Sequence, residues 1–397
     1  MVRRRGYEEC LNQWLGEESP AGKAPWTTRV PAGVPGTVFQ VGSVVHWWLA
    51  RMQASRGFLR EKMTLFWHGY FTTSVDPVFI AGLLLCQNQL LRDHALGRFE
   101  DLLQQISRDP AMLLYLDGFR NKPEHPNENY AREVMELFTT GPGHYSEEDL
   151  RQAARAFTGW EIAWLKGLQF RDNPKHHDSG PKKFKDLRGP LQGRDILHHL
   201  AQDPATAHHI IRRLWEFLVG LPLPAAEHQR LADVFCASHG NVSVVLKALF
   251  LGACFRDLAD QRQALKSPME YLLGLCAVGE QRLGPGELDA LKQMGQMPFL
   301  PPSVAGWRQG NGWLDTATLE QRLKLALKLA GRVPHQLWAE RLQGVGGPQA
   351  VERLLWLGHQ LDAGQPLRQQ LLDMYRGPQR LQPLVSLMFA SPEAQLR

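Results

Sequence analysis

Cysteine is scarce and scattered. Five residues, Cys10, Cys86, Cys236, Cys254 and Cys276, lie far apart with no C-x-x-C pair. This spacing excludes zinc-finger and thioredoxin-like readings, and an odd count in mostly apolar settings points to reduced, buried thiols in a cytoplasmic protein. Long hydrophobic runs are missing as well. The longest, Val78 to Cys86, is about half of the ~20 residues a membrane-spanning helix needs, so no membrane span is expected. The basic start Met1-Val2-Arg3-Arg4-Arg5 is followed by Gly6, Tyr7, Glu8 and Glu9 where the apolar part of a signal peptide would begin. The sequence also lacks a G-x-S-x-G elbow, a Walker-type phosphate loop and a G-x-G-x-x-G turn after a strand, which removes support for nucleotide-binding and α/β-hydrolase readings. Charge of one sign is not in large excess: 45 Lys plus Arg face 40 Asp plus Glu in 397 residues.

What is present is helical periodicity throughout, with almost no period-2 alternation, so the fold class is all-α. A multi-helix bundle is expected, with a long irregular loop or small β-ribbon around residues 160–193. The expected division is an N-terminal helix and irregular connection over 1–42, a helical core over 43–318, and a C-terminal helical segment over 319–397 packed on that core. Helices are expected at Phe58–Phe71, Pro77–Ser107, Asn127–Thr139, Ser146–Phe157 and Ala225–Ala237, among others. Pro20–Gly42 and Pro298–Trp313 read as irregular.

Three clusters carry candidate chemistry. On the helix from Phe58, residues Glu61, Thr64 and His68 fall within about 60° of one another, and aromatic and aliphatic residues fill most of the rest. A buried Glu and His must be paired, hydrogen-bonded or used as ligands. Either they form a structural core pair, or His68 is a metal ligand or acid/base group with Glu61 holding its second nitrogen. On the Asn127 helix, Glu128, Asn129, Arg132, Glu133 and Glu136 span about 140°. Surface ion pairs of ~0.3–0.5 kcal/mol explain such an arc, and the wall of a polar cleft suits it equally.

The third cluster is His176-His177-Asp178, followed by the basic run Lys182-Lys183-Phe184-Lys185. Imidazole plus carboxylate suits zinc, iron or manganese, although the spacing lacks an H-E-x-x-H signature. The stretch from Asp117 to Glu148 has seven acidic residues against three basic ones, and Lys166 to Arg194 has eight basic against three acidic. The loop is therefore expected to fold over the Asn127 helix region. With few aromatics in the basic stretch, nucleic-acid binding ranks low.

Several of these motifs together are similar to one family. They are Glu61-Lys62-Met63 with Phe66-Trp67-His68, Arg92, Asp109-Pro110-Ala111-Met112, Leu116-Asp117, and Asn127-Glu128-Asn129-Tyr130-Ala131-Arg132-Glu133 with Glu136-Leu137-Phe138-Thr139. Thr158-Gly159-Trp160, His176-His177-Asp178, Pro301-Pro302 and Gly306-Trp307 complete the set. From about Glu8 to Arg322 the chain resembles the large bacterial family catalogued as domain of unknown function 1800, which has no settled activity. The resemblance implies a partner, since members are often encoded beside a second uncharacterised family similar to sulfatases and alkaline phosphatases. It also implies that many relatives are exported. A cytoplasmic address is expected here from the lack of a signal, and a periplasmic or envelope address if the start is truncated. Tyr70 stands where the resemblance implies a second His after the Trp67-His68 pair.

Combining residues and resemblance, the expected function is an enzyme with a polar cleft that performs hydrolysis or group transfer on a polar or anionic envelope-related substrate. His68, Glu61, Glu133 and Glu136 are the catalytic candidates, and Asn129, Arg132, Lys183 and Trp160 the substrate contacts. His68, His176, His177 and Asp178 are the candidate ligands of a divalent metal ion. The alternative is a non-catalytic scaffold or binding partner of a sulfatase-like enzyme, in which the same residues form a buried structural network.

Overall fold

The computed structural model describes residues 7–16, 41–55, 58–259, 261, 263–358, 363–378 and 380–396. Most of the irregular connection expected over Pro20–Gly42 lies outside them. The first half of the chain forms α1 (Tyr7–Gly16), α2 (Val41–Ala54), α3 (Phe58–Tyr70), α4 (Val75–Val78), α5 (Ala81–Asp93), α6 (Phe99–Ile106), α7 (Pro110–Tyr115), α8 (Glu128–Glu136) and α9 (Glu147–Ala156). Four short strands follow: β1 (Trp160–Ala163), β2 (Gln169–Asp172), β3 (Lys182–Phe184) and β4 (Leu187–Gly189). The remainder is again helical: α10 (Gly193–Gln202), α11 (Pro204–Leu218), α12 (Ala225–Ala237), α13 (Val242–Leu251), α14 (Ala253–Ala259), α15 (Pro268–Val278), α16 (Pro285–Gln293), α17 (Thr316–Ala330), α18 (His335–Arg341), α19 (Gly347–Leu357), α20 (Gln365–Met374), α21 (Gln382–Ala390) and α22 (Pro392–Gln395).

Local chemistry accounts for many of the boundaries. Ser146 accepts from the Asp149 N–H while the Asp149 carboxylate accepts from the Ser146 N–H, a reciprocal cap that starts α9. Asp109 caps α7 with Pro110 at the first helical position, where a missing N–H costs nothing. Asn127, expected inside its helix, instead caps α8 by accepting from the Asn129 N–H.

The single helix expected over Pro77–Ser107 is instead the end of α4 followed by α5 and α6, with the longer break between the last two. The break is made by a distant segment: Val242 N–H donates to Gly97 O, and Phe99 N–H donates to Gly240 O. These bonds dock the start of α6 beside the start of α13, and they leave no trace in local periodicity. Helix α16 falls where no helix was expected.

The 160–193 segment is a pair of two-stranded antiparallel ribbons. In the first, Trp160 pairs with Asp172 and Ala163 with Gln169; in the second, Lys182 pairs with Gly189 and Phe184 with Leu187. Trp160 and Ile162 point inward on the first, and Phe184 on the second. Strand β3 lies on α9.

One continuous apolar core runs from Val44 to Ala394. Helix α3 is central to it, with Met63, Phe66, Trp67 and Tyr70 all buried. Each such side chain contributes about 1.5–3 kcal/mol of transfer free energy. At the end of α3 the chain from Pro301 to Trp307 closes over Gly69. Gly306 has a positive φ of 87°, and a Cβ there would lie 2.4 Å from Gly69 O, so only glycine lets the two backbones meet. Among the described residues no helix is long and apolar enough to cross a membrane.

Candidate functional site

Helix α3 places Glu61 and His68 on one buried stripe, as the sequence implies, but they do not hold each other. Arg92, from α5, grips Glu61 with two bonds, Nε to Oε1 at 2.7 Å and Nη2 to Oε2 at 3.1 Å. Arg51 Nε adds a bond of 3.0 Å to Oε1 and Trp48 Nε1 one of 3.1 Å to Oε2, both from α2. Burial pushes the Glu61 carboxyl up, and the hydrogen bonds and charges of Arg92 and Arg51 more than offset it, so its pKa is lowered. Arg92 Nη2 also donates to Asn88 Oδ1 at 2.7 Å.

His68 Nε2 accepts from the Phe299 N–H at 3.0 Å, which puts the ring proton on Nδ1, and Nδ1 has no hydrogen-bond partner among the described residues. The imidazole is fully buried among Trp48, Phe299 and Trp307, with ring centroids 4.7–5.3 Å away. Burial lowers its pKa to about 3. The expectation that Glu61 orients His68 is therefore corrected: its partners are two arginines and an indole from neighbouring helices.

The loop residues are likewise engaged. His176 Nδ1 meets the Glu161 carboxylate, which also takes Arg171. His177 Nδ1 donates to Thr158 O at 2.9 Å. Asp178 receives Arg155 through Nε at 2.7 Å and Nη2 at 3.2 Å, and these bonds hold its carboxyl below the usual range. Among the described residues no group of three or more His, Cys, Asp or Glu is placed to hold a metal ion. His68, buried among Trp48, Phe299 and Trp307, is thus not brought together with His176, His177 and Asp178 into such a group.

Of the expected substrate contacts, Trp160 is buried against Phe157 and Phe170, and Lys183 is exposed on β3. Nor do the loop's charges turn to α8. Asp178 binds Arg155 of α9, the Lys185 N–H donates to Asp149 Oδ1 at 2.8 Å, and Lys185 Nζ reaches Asp203 at 2.6 Å.

The face of α8 remains. Asn129 Nδ2 donates to Leu116 O at 3.0 Å and so ties the helix down. Arg132 lies 3.6–3.7 Å from Glu128, Glu136 and Glu147, already surrounded by negative charge. The Tyr145 hydroxyl donates to Glu136 Oε1. Glu133 differs from all of these. It is half-buried and has no hydrogen bond or ion pair from its carboxylate among the described residues. Burial first, then the charge of Glu136, raises its pKa against the opposing pull of Arg132. Tyr115 is close enough for its own ionisation to be opposed by Glu133.

Beyond Glu133, the C-terminal end of α8 meets α11. His209 Nε2 donates to Leu137 O at 3.1 Å, and Tyr70 OH donates to Phe138 O at 3.1 Å. Residues from α3, α8, α11 and the 139–145 turn thus gather at one end of one helix.

A second recess was not anticipated from the sequence. It is a cleft of about 600 Å³ between α5, the α6–α7 junction and the tip of the first ribbon, lined by Cys86, Leu90, His94, Arg108, Asp109 and Phe170, among others. Burial drives the Asp109 pKa up to about 7 against its bonds from the Met112 N–H and Gln87. Burial and then Asp109 raise the Cys86 thiol to about 11. The Asp109-Pro110 cap was the available signal, and by itself it says only that a helix begins.

Taken together, the fold is an all-α protein with two small ribbons and a polar end of α8 where one carboxylate has no ion-pair partner among the described residues. Residues 11–396 match the family described as "Protein of unknown function (DUF1800)", and the chain belongs to it. No curated protein and no solved structure matches the chain.

Proposed function

We propose that this protein is an enzyme that handles a proton at Glu133 during hydrolysis or group transfer on a polar or anionic envelope-related substrate. The observation that carries the reading is the state of Glu133. A carboxylate that is half-buried, raised in pKa and left without a protein partner is suited to act as a general base or acid, because its proton affinity is moved toward neutrality and its oxygens are free for a reactant. Glu136, held by Tyr145 beside Arg132, supplies the neighbouring negative charge that keeps Glu133 raised. Arg132 itself is a poor anion anchor, since three carboxylates already neutralise it.

The test is a screen of the purified full chain on chromogenic phosphate and sulfate esters and on cell-wall fragments, repeated with Glu133→Gln. Turnover that falls by about 10²–10⁴-fold in the variant, with the melting temperature held, supports the assignment. Turnover unchanged by the substitution sinks it.

One observation favours the second reading, a non-catalytic partner of a sulfatase-like protein. Glu61, His176, His177 and Asp178 are all engaged within the chain, as a structural network requires. Stable co-purification with the sulfatase-like neighbour, combined with no turnover by the isolated chain, selects that reading.

A further inference from the structure

Two adjacent arginines of one helix converge on the neighbouring rings of Tyr70 and His209. Arg212 and Arg213 lie on α11, and neither comes within ion-pair distance of a carboxylate among the described residues; Glu216, the nearest acid in the helix, bridges to neither. At the clusters described above the pattern is opposite: Arg92 and Arg51 close on Glu61, Arg155 on Asp178, Arg132 on three glutamates.

The two guanidiniums are also held in place by neutral groups. Arg213 stacks over the buried ring of Tyr70, 5.9 Å from its centroid, and that ring is anchored through its hydroxyl to Phe138 O. Arg212 Nη2 donates to His209 Nδ1 at 3.1 Å. The acceptor nitrogen is available because His209 Nε2–H is already committed to Leu137 O, and burial together with Arg212 and Arg213 lowers the ring's pKa to about 4, so the imidazole is neutral.

The wall opposite is kept thin. Gly141, at a positive φ of 86°, passes so near that a Cβ would lie 3.1 Å from His209 Nδ1. A fixed ring, a fixed neutral imidazole and two unneutralised guanidiniums make a preorganised positive corner.

We propose that Arg212 and Arg213 form a binding site for a doubly charged oxyanion, a phosphate or sulfate group, whose charge matches the pair. The guanidinium N–H groups donate to the oxyanion oxygens, Tyr70 and His209 set the angle between the two forks, and no proton is transferred. The site stands on α11 and does not depend on the role given to Glu133.

The experiment is calorimetric titration of the full chain with inorganic phosphate, sulfate and acetate at low ionic strength and neutral pH. Saturable binding of phosphate or sulfate near one per chain is expected, with acetate weaker. Arg213→Ala and Arg212→Gln should each weaken it about tenfold or more, whereas Arg132→Ala and Glu133→Gln should leave it in place. Arg213→Lys retains charge and stem, so it tests the fork itself with little effect on folding; melting curves on every variant separate lost binding from lost structure. No saturable binding, equal binding of acetate, or binding that survives both α11 substitutions overturns the proposal.

Discussion

Around Glu61 the protein answers its own charges: two arginines, an indole and an asparagine close a largely buried network. Around the C-terminal end of α8 it does not: among the described residues Glu133, Arg212 and Arg213 have no ion pair with an opposite charge. Both regions contain the residue types expected of a site, and α3 touches both, through Glu61 in one and Tyr70 in the other. Composition alone therefore cannot separate a structural network from a working one. The difference is whether hydrogen-bonding capacity is used up inside the fold.

The sharpest way to break the comparison is to open the closed network. Glu61→Ala leaves Arg92 buried with its main counter-charge gone, and a loss of about 3–5 kcal/mol in urea or guanidinium unfolding is expected. A loss near zero would mean that water reaches this network after all.

Next in size is the response to acid. His68 has a folded pKa of about 3 against a reference of 6.5. A depressed histidine contributes stability that is complete above the unfolded value and is lost as pH falls from 6.5 toward 3, at about 1.4 kcal/mol per unit. His68→Gln, which keeps an acceptor for the Phe299 N–H, should flatten that limb of a melting-temperature profile.

Asp109 works in the other direction. Its folded pKa is raised from 3.8 to about 7, so the neutral form is favoured in the fold, and its contribution is complete below 3.8 and lost as pH rises toward 7. Asp109→Asn should remove this decline, leaving wild type and variant with different slopes between pH 4 and 7.

The open region should behave differently. Glu133→Gln is expected to leave unfolding midpoints unchanged or slightly higher, since it removes a charge that burial disfavours; a clear loss of stability would move Glu133 into the structural class. Smallest of all, Arg132→Ala should cost no more than about 1 kcal/mol, because its three partners are partly solvent-exposed.

Much of the fold was legible. Apolar spacing located α3 and α12, and the Ser146/Asp149 cap located α9, because these signals are local. The break between α5 and α6 was not, since bonds from Gly240 and Val242 impose it. The candidate site divides in the same way. Burial of the Glu61/His68 stripe could be read from a helix apolar on most sides, but the partners of Glu61 could not, as they arrive from α2 and α5. The neighbouring imidazoles of His176 and His177 looked like ligands, and only the ribbon geometry shows them turned to Glu161 and Thr158. Glu133 was named among several polar residues with nothing to distinguish it. Arg213 was not singled out at all, because an absent counter-ion is visible only in three dimensions.

The segment that closes over the end of α3 also bears on how the chain is made. Phe299 reaches His68 across 231 positions, Val304 reaches Thr72 across 232, and Gln281 reaches Gln53 across 228. At roughly 5–20 residues per second, synthesis leaves α3 without its lid for roughly ten to fifty seconds. Its aromatic side chains are on show to chaperones and to other nascent chains for that interval, so the yield of folded protein should depend on how fast the ribosome reaches Phe299.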